Sequence, residues 1–124
     1  IFGGVLTSTA IYVSSATIGT DEYANGAYTA ISTITWQNGN MQKVTLTANT
    51  AFNFVAPAHP GTLTLRILTG AGSFACTWPA TVKWSGGTAP TITVTASRAD
   101  FVVCKYASDG NYYCSAAGVQ NFTP

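Results

Sequence analysis

The sequence predicts an all-β domain, and three observations support this prediction. Apolar and hydroxyl-bearing residues alternate with a period of two along several segments, as they do in strands that bury one face. Turn-forming residues separate these segments at short intervals, which is typical of β-sandwiches and barrels. No segment shows the period of an amphipathic helix. We therefore expect one antiparallel β-sandwich, jelly-roll-like, with very little helix.

Three segments carry the alternation most clearly, at residues 43–48, 62–67 and 91–96. In each of them every second residue is apolar, and most residues between are Thr, whose β-branched side chain suits a strand. One face of each predicted strand would pack in the core and the other would face solvent. The predicted turns lie at residues 37–40, 57–61, 70–72, 85–87 and 108–111.

The last predicted hairpin allows two registers. Its strands cover residues 101–106 and 112–116. A three-residue loop with Gly110 in the left-handed conformation gives a bulged hairpin, which places Cys104 directly opposite Cys114. A two-residue Asp-Gly turn would shift the register and separate the two cysteines. With Cys76 the chain has three cysteines, so one disulfide with a free thiol and a fully reduced chain both remain open.

The N-terminal part of the chain differs in composition from the rest. Ser, Thr, Ala and Gly dominate it, and only two of its residues are charged. Residues 10–13 and 28–36 are predicted strands, and residues 14–27 a loop or arm. We assign residues 1–36 to an N-terminal arm with extra strands, which packs on the same domain or on neighbouring subunits. Residues 37–124 form the predicted sandwich module.

The chain carries very little charge. Asp, Glu, Lys and Arg make up 7% of its 124 residues, compared with about 25% in an average globular domain. This length can bury the core of one domain, but so few charges give little protection against association. Either neighbouring subunits cover much of the surface, or the surface is a neutral display face. Both alternatives disfavour a free cytosolic enzyme.

The charge pattern and hydropathy exclude two classes of partner. The five basic residues are scattered along the sequence, at Lys43, Arg66, Lys83, Arg98 and Lys105, whereas nucleic-acid binding needs a concentrated basic stripe. No apolar run approaches the ~18 residues that span a bilayer. We therefore expect no nucleic-acid partner and no membrane insertion.

The sequence offers no set of residues suited to catalysis or metal binding. His59 lies in a Pro-Ala-His-Pro segment, without a motif that supplies a nucleophile and an orienting carboxylate. Asp109 suits a turn, and Asp100 lies where a strand begins and can bond to nearby backbone. The cysteine spacing does not match the close pairs of structural zinc sites. We expect no enzymatic activity, no catalytic residues, no metal and no cofactor.

A group of motifs follows a recognisable order along about two thirds of the chain. Its most specific part is Trp-Pro at residues 78–79, followed by Lys-Trp-x-Gly-Gly-Thr-x-Pro at residues 83–90. Its other members are residues 42–47, Asn49, Phe52, residues 60–61, 63–67, 91–93 and 100–101, Tyr106 and residues 110–113. This order resembles a module common in phage virion proteins, especially tail-fibre and appendage proteins.

The resemblance implies a β-sandwich on the surface of a phage particle. Such modules often occur as trimers, so it implies a homo-oligomer, with a trimer favoured, among other virion proteins, and a host-surface glycan as a further partner. It covers tail fibre, head fibre, collar and capsid decoration alike. Two features depart from the module: a Trp is common where Tyr112 and Tyr113 stand, and Cys104 and Cys114 are not part of its pattern.

Aromatic residues are the best candidates for intermolecular contacts. Trp84, Tyr106, Tyr112 and Tyr113 could stack on sugars, and Arg66 is a lone charge on a hydroxyl-rich face. Core packing or a subunit contact explains the same aromatic residues more simply. Tyr112 and Tyr113 point to opposite faces of one strand, so one of them at most can join a flat platform. The alternative function is a secreted carbohydrate-binding module.

Overall fold

The computed structural model describes residues 21–28 and 31–124. In this part of the chain it contains the strands β1 (Tyr23–Tyr28), β2 (Ile31–Thr35), β3 (Met41–Leu46), β4 (Thr50–Val55), β5 (Gly61–Thr69), β6 (Cys76–Thr77), β7 (Val82–Trp84), β8 (Ala99–Tyr106) and β9 (Tyr112–Ser115). Short 3-10 turns follow β2 and β7, at Trp36–Asn38 and Ser85–Gly87. The described chain is therefore built mostly from strands, as predicted.

The strands form two sheets. The larger sheet has the order β1-β3-β5-β8-β9-β7, and the smaller sheet has the order β2-β4-β6. Ile34 and Phe52 of the smaller sheet belong to the same cluster of buried residues as Leu65 and Val102 of the larger sheet. The two sheets therefore share one hydrophobic core, and each has an outer face turned away from it.

The first six strands alternate between the two sheets. Each strand of this set pairs in parallel with the preceding strand of its own sheet. The chain from β1 to β6 thus makes three turns of a parallel β-solenoid, with one strand of each turn in each sheet. β8 and β9 then extend the larger sheet from β5 as an antiparallel hairpin, and β7 pairs in parallel with β9 at the edge.

The prediction of antiparallel pairing is right for β5, β8 and β9 and wrong for the solenoid, and the jelly-roll arrangement is not confirmed. Alternation shows that a strand buries one face, but it does not give the direction of the neighbouring strand. Parallel sheets usually lose the alternation because helices cover both of their faces. In the solenoid each parallel strand keeps one face on the core and one face outside, so the alternation persists.

β3 and β5 have the alternation that the sequence predicts. In β3 the buried residues are Gln42, Val44 and Leu46, and in β5 the core side chains include Leu63 and Leu65. Burying an aliphatic side chain of this size contributes about 1.5–3 kcal/mol relative to leaving it exposed. A register shift of one residue would expose the whole set at once, so the core fixes the register of both strands.

The prediction of a third strand at residues 91–96 is wrong, because these residues form no strand. Side chains bond to their backbone instead: the Thr93 amide donates to Oδ2 of Asp100 at 2.6 Å. The Thr93 carbonyl accepts from Oγ1 of Thr69 at 2.8 Å. These contacts satisfy backbone groups that a neighbouring strand would otherwise satisfy.

The N-terminal part of the described chain belongs to the solenoid. β1 begins at Tyr23, so the end of the predicted loop at residues 14–27 is a strand. The predicted strand at residues 10–13 lies outside the described residues. Since β1 pairs with β3 and β2 pairs with β4, the sheets continue across the predicted boundary between residues 36 and 37.

A buried amide links two turns of the solenoid. The Gln42 side chain is 0% exposed and donates through Nε2 to the carbonyl oxygens of Thr35 at 2.9 Å and Gly39 at 2.8 Å. Its Oε1 accepts from Nδ2 of Asn25 at 3.0 Å. A buried amide is tolerated only when it is hydrogen-bonded, and these bonds tie β3 to β1 and to the corner after β2.

A bidentate ion pair connects the start of the described chain to β5. Arg66 donates through Nε to Oε2 of Glu22 at 2.9 Å and through Nη2 to Oε1 at 2.6 Å. Paired bonds of this kind are the stronger form of a carboxylate–guanidinium contact. The hydrogen bond from Arg66 lowers the pKa of Glu22, against the opposing effect of burial.

We expect Glu22→Gln to lower the free energy of unfolding at pH 7 by up to about 1 kcal/mol. Because the folded pKa lies below the unfolded value of about 4.3, the contribution is complete above that value and is lost as the pH falls through the folded pKa. Urea unfolding should therefore separate variant and wild type at pH 7 and bring them together in acid. Asp21→Asn, at an exposed neighbour, is the control, and a difference that persists in acid would contradict the assignment.

Candidate binding surface

Four of the five basic residues lie on the outer face of the larger sheet. Lys43, Arg66, Lys83 and Lys105 occupy β3, β5, β7 and β8, at the positions that alternate with core-facing residues, so their side chains point away from the core. The fifth, Arg98, precedes β8. Basic residues that are scattered in the sequence are therefore concentrated on one side of the fold.

Two of these lysines flank an exposed tyrosine. Tyr113 in β9 pairs with Lys105 in β8 on one side and with Lys83 in β7 on the other. Neighbouring strands are about 4.8 Å apart, which puts the Cα atoms of the two lysines about 10 Å from each other. The Tyr113 side chain is 48% exposed. We call Lys105, Tyr113 and Lys83 the tyrosine row.

The tip of the hairpin fixes the orientation of the Tyr113 ring. The phenol donates to Oδ2 of Asp109 at 2.6 Å, and Oδ1 of Asp109 accepts from the Asn111 amide at 3.0 Å. The first bond lowers the pKa of Asp109 and raises the pKa of Tyr113. At neutral pH the pair therefore consists of a carboxylate and a protonated phenol.

Both lysines of the row bond to neutral groups. Lys105 donates through Nζ to Oγ1 of Thr62 at 2.6 Å, and Lys83 donates through Nζ to the carbonyl oxygen of Ala80 at 2.7 Å. An ammonium group has three donors, so each lysine can still bind an anion. Arg66 differs, because Glu22 already neutralises its charge.

A shallow depression lies against the tyrosine row, and a second depression shares three of its lining residues. The first has a volume of about 340 Å³ and lies against the row itself. The second has a volume of about 240 Å³ and extends to Thr88 and Gln120. Trp84, Ser85 and Ser115 line both depressions. We call the combined depression the β7–β9 groove.

The predicted contact residues separate into one exposed residue and several packed ones. Tyr113 is exposed, whereas Tyr112 is 3% exposed, and the half-buried Tyr106 packs on it with ring centroids 4.8 Å apart. Trp84 is half-buried and contacts Trp78 edge to face at 5.1 Å. Tyr113 is therefore the predicted aromatic residue best placed for an intermolecular contact, and Trp84 takes part through the groove that it lines.

The hairpin has the register of the three-residue loop. Cys104 lies directly opposite Cys114 and forms a disulfide with it, and Gly110 has a positive φ of 82°. The bulged-hairpin prediction is confirmed by this register, and the two-residue turn is excluded. Cys76 is free; burial raises the pKa of its thiol to about 12, which leaves it protonated and a poor nucleophile at neutral pH.

The candidate titratable residues His59 and Asp100 differ in burial. His59 is exposed in the loop between β4 and β5, and Asp100 is buried. Residues 21–28 and 31–124 contain no cluster of three or more His, Cys, Asp or Glu side chains that could hold a metal ion. In the same residues no helix is long and apolar enough to cross a membrane.

The sequence identified Tyr113 but missed the two lysines beside it. The hairpin register alone places Lys105 opposite Tyr113, so this half of the row could have been found by extending the register argument by one pair. The other half depends on the parallel docking of β7 against β9, and no local pattern around Lys83 indicates that docking.

No known protein family, curated protein sequence or solved structure matches the chain. The described part of the chain is a three-turn β-solenoid extended by a disulfide-linked hairpin, with a basic outer face on the larger sheet.

Proposed function

We propose that the chain is a structural component of a bacteriophage particle, which assembles with copies of itself and with other virion proteins at the particle surface. The motif order centred on residues 78–79 and 83–90 supports this proposal, as does the low charge of the chain. A buried disulfide is compatible with an exposed particle, since disulfides persist in oxidising surroundings. Tail fibre, head fibre, collar and capsid decoration all fall within the proposal.

The observation that carries the proposal is the neutral outer face of the smaller sheet. The described side chains on this face are Thr33, Thr35, Ala51, Asn53, Val55 and Thr77, and none of them is charged. The cores of protein interfaces are depleted in charged residues. A three-stranded sheet face of short neutral side chains thus fits a contact with another subunit.

The two outer faces differ in a way that suits one orientation in an assembly. Three lysines on the outer face of the larger sheet, Lys43, Lys83 and Lys105, would repel the same face of a second copy. The neutral outer face of the smaller sheet carries no such penalty. We therefore place the smaller sheet against neighbouring copies in a homotrimer and the larger sheet toward solvent.

Native mass spectrometry and light scattering, with and without reductant, test the assembly. We expect a trimer of the wild-type chain, and we expect Asn53→Lys to shift it toward monomer because the new charge is buried at the contact. Thr64→Lys is the matched control, since it adds the same charge to the outer face of the larger sheet. A monomeric wild type at tens of micromolar, or equal dissociation by both variants, would overturn the assembly proposal.

A secreted carbohydrate-binding module is the second candidate, and the exposed Tyr113 ring beside a groove is the observation that favours it. This function needs neither a neutral contact face nor a trimer. A wild-type monomer that binds a polysaccharide through Tyr113 would therefore support the module, whereas a trimer that depends on Asn53 supports the virion component.

A further inference from the structure

We propose that the β7–β9 groove binds an acidic polysaccharide, with a sugar ring against Tyr113 and carboxylates near Lys83 and Lys105. The inference rests on the proposed function in one respect, that the larger sheet faces the surroundings and meets surface glycans. It holds equally for a trimer on a particle and for a secreted monomer.

The Tyr113 ring supplies an exposed apolar surface that is already oriented. Its hydrogen bond to Asp109 and its position in the middle of β9, between β7 and β8, restrict its rotation before any ligand arrives. A binding surface that is ordered in advance loses less entropy on association. Tyrosine combines such an apolar ring with a polar tip, and a sugar ring has matching apolar and hydroxyl-bearing parts.

The two lysines supply cations on both sides of the ring. Their Cα atoms are about two strand spacings, or 10 Å, apart, so anionic groups on successive sugars can reach both. Among the described residues of this face, the one ion pair joins Arg66 and Glu22. Lys83 and Lys105 therefore have no carboxylate partner there. These charges therefore favour an acidic over a neutral saccharide.

The small net charge of the site, together with its hydroxyl groups, favours an acidic saccharide over nucleic acid. The carboxylate of Asp109 accepts a hydrogen bond from the Tyr113 phenol, so it belongs to the same site as the two lysines. Lys83, Lys105 and Asp109 together carry a charge of +1. Binding to nucleic acid draws its affinity from many phosphate contacts and counterion release, which two lysines cannot provide. The groove continues past Ser115 to Thr88, where hydroxyl groups can bond to further sugars.

Titration calorimetry with polygalacturonate tests the proposal, and its methyl ester is the uncharged control with the same backbone. We expect the acid to bind and the ester to bind at least about tenfold more weakly. The double variant Lys83→Ala/Lys105→Ala should lose about tenfold in affinity for the acid, and Tyr113→Ala about fivefold. Tyr113→Phe keeps the ring but loses the bond to Asp109 that orients it, so its affinity should lie between those of the wild type and Tyr113→Ala.

Lys43→Ala is the matched control for the lysines, because it removes a charge from the same sheet face outside the groove. We expect it to change the affinity by less than about twofold. The proposal is overturned if polygalacturonate does not bind at millimolar sugar, if the ester binds equally well, if Lys43→Ala weakens binding as much as the double variant, or if a DNA oligonucleotide binds more tightly. Light scattering on the same samples shows whether the trimer forms. A failure to assemble can then be distinguished from a failure to bind polygalacturonate.

Discussion

Asp100→Ala should lower the free energy of unfolding by about 4 kcal/mol, since it removes three hydrogen bonds to one buried carboxylate. Asp100 is 1% exposed. Its Oδ2 accepts from the Thr93 amide at 2.6 Å and from Nε2 of Gln120 at 3.0 Å, and its Oδ1 accepts from the Asn121 amide at 2.7 Å. Urea unfolding measures the loss.

Loss of the Asp100 carboxylate has a large expected effect because this group holds two segments that form no strand. Thr93 lies in the strandless segment before β8, and Asn121 lies near the C-terminal end of the described chain. Both segments are held to the start of β8 through one side chain. Gln120 also lines the β7–β9 groove, so Asp100→Ala should loosen one end of the groove as well as destabilise the fold.

Two variants separate the hydrogen bonds from other effects. Asp100→Asn keeps the shape of the side chain, but its amide NH₂ group then faces one of the groups that donate a hydrogen bond to Asp100. We therefore expect about half of the loss, about 2 kcal/mol. Asp109→Ala removes an exposed carboxylate and should change stability far less than Asp100→Ala does. A loss below about 1 kcal/mol for Asp100→Ala would mean that water replaces these bonds.

The sequence predicts a strand correctly where the alternating side chains of that strand fill the core. β3 and β5 have clear alternation and a core to fill, and both were found close to their observed bounds. The segment at residues 91–96 has the same alternation but is not a strand, because Asp100 takes the Thr93 amide. Alternation measures the tendency of a segment to be half-buried, whereas strand formation also depends on which groups bond to its backbone.

The solenoid was not predictable because its turns differ in length. The paired positions Tyr23–Gln42, Ile31–Ala51, Met41–Thr64 and Thr50–Cys76 are 19, 20, 23 and 26 residues apart. Repeat architectures are recognised from a fixed period, and here each turn is longer than the one before it. The strands nevertheless pair in parallel, since the corners absorb the extra residues.

The candidate site was predictable to the extent that it depends on one hairpin. The loop chemistry around Gly110 allows the register that puts Cys104 opposite Cys114, and in that register strand parity turns Tyr113 outward. The position of β7 at the edge of the sheet is a tertiary contact between segments about 30 residues apart. Lys83 joins the tyrosine row through that contact, so the complete row appears only in the folded chain.

Replacing both Cys104 and Cys114 by Ala should lower the free energy of unfolding by about 3 kcal/mol. The cysteines are 10 residues apart, and closing a loop of this length restricts the unfolded chain enough to contribute about 2.7 kcal/mol in the chain-entropy description. Both side chains are nearly fully buried in the core, so the lost sulfur contacts add to this effect. Guanidinium unfolding of oxidised wild type and the double variant measures the difference.

Cys76→Ala is the control, because it removes a half-buried free thiol and no cross-link. We expect it to cost clearly less than the double variant, and we expect reductant to lower the midpoint of the wild type and of Cys76→Ala but not that of the double variant. An equal midpoint for reduced and oxidised wild type would contradict a stabilising disulfide. Since strand pairing and the Tyr113–Asp109 bond hold β9 without the disulfide, the folded double variant should bind polygalacturonate within about twofold of the wild type. Stability and recognition would then be separate properties of the same hairpin.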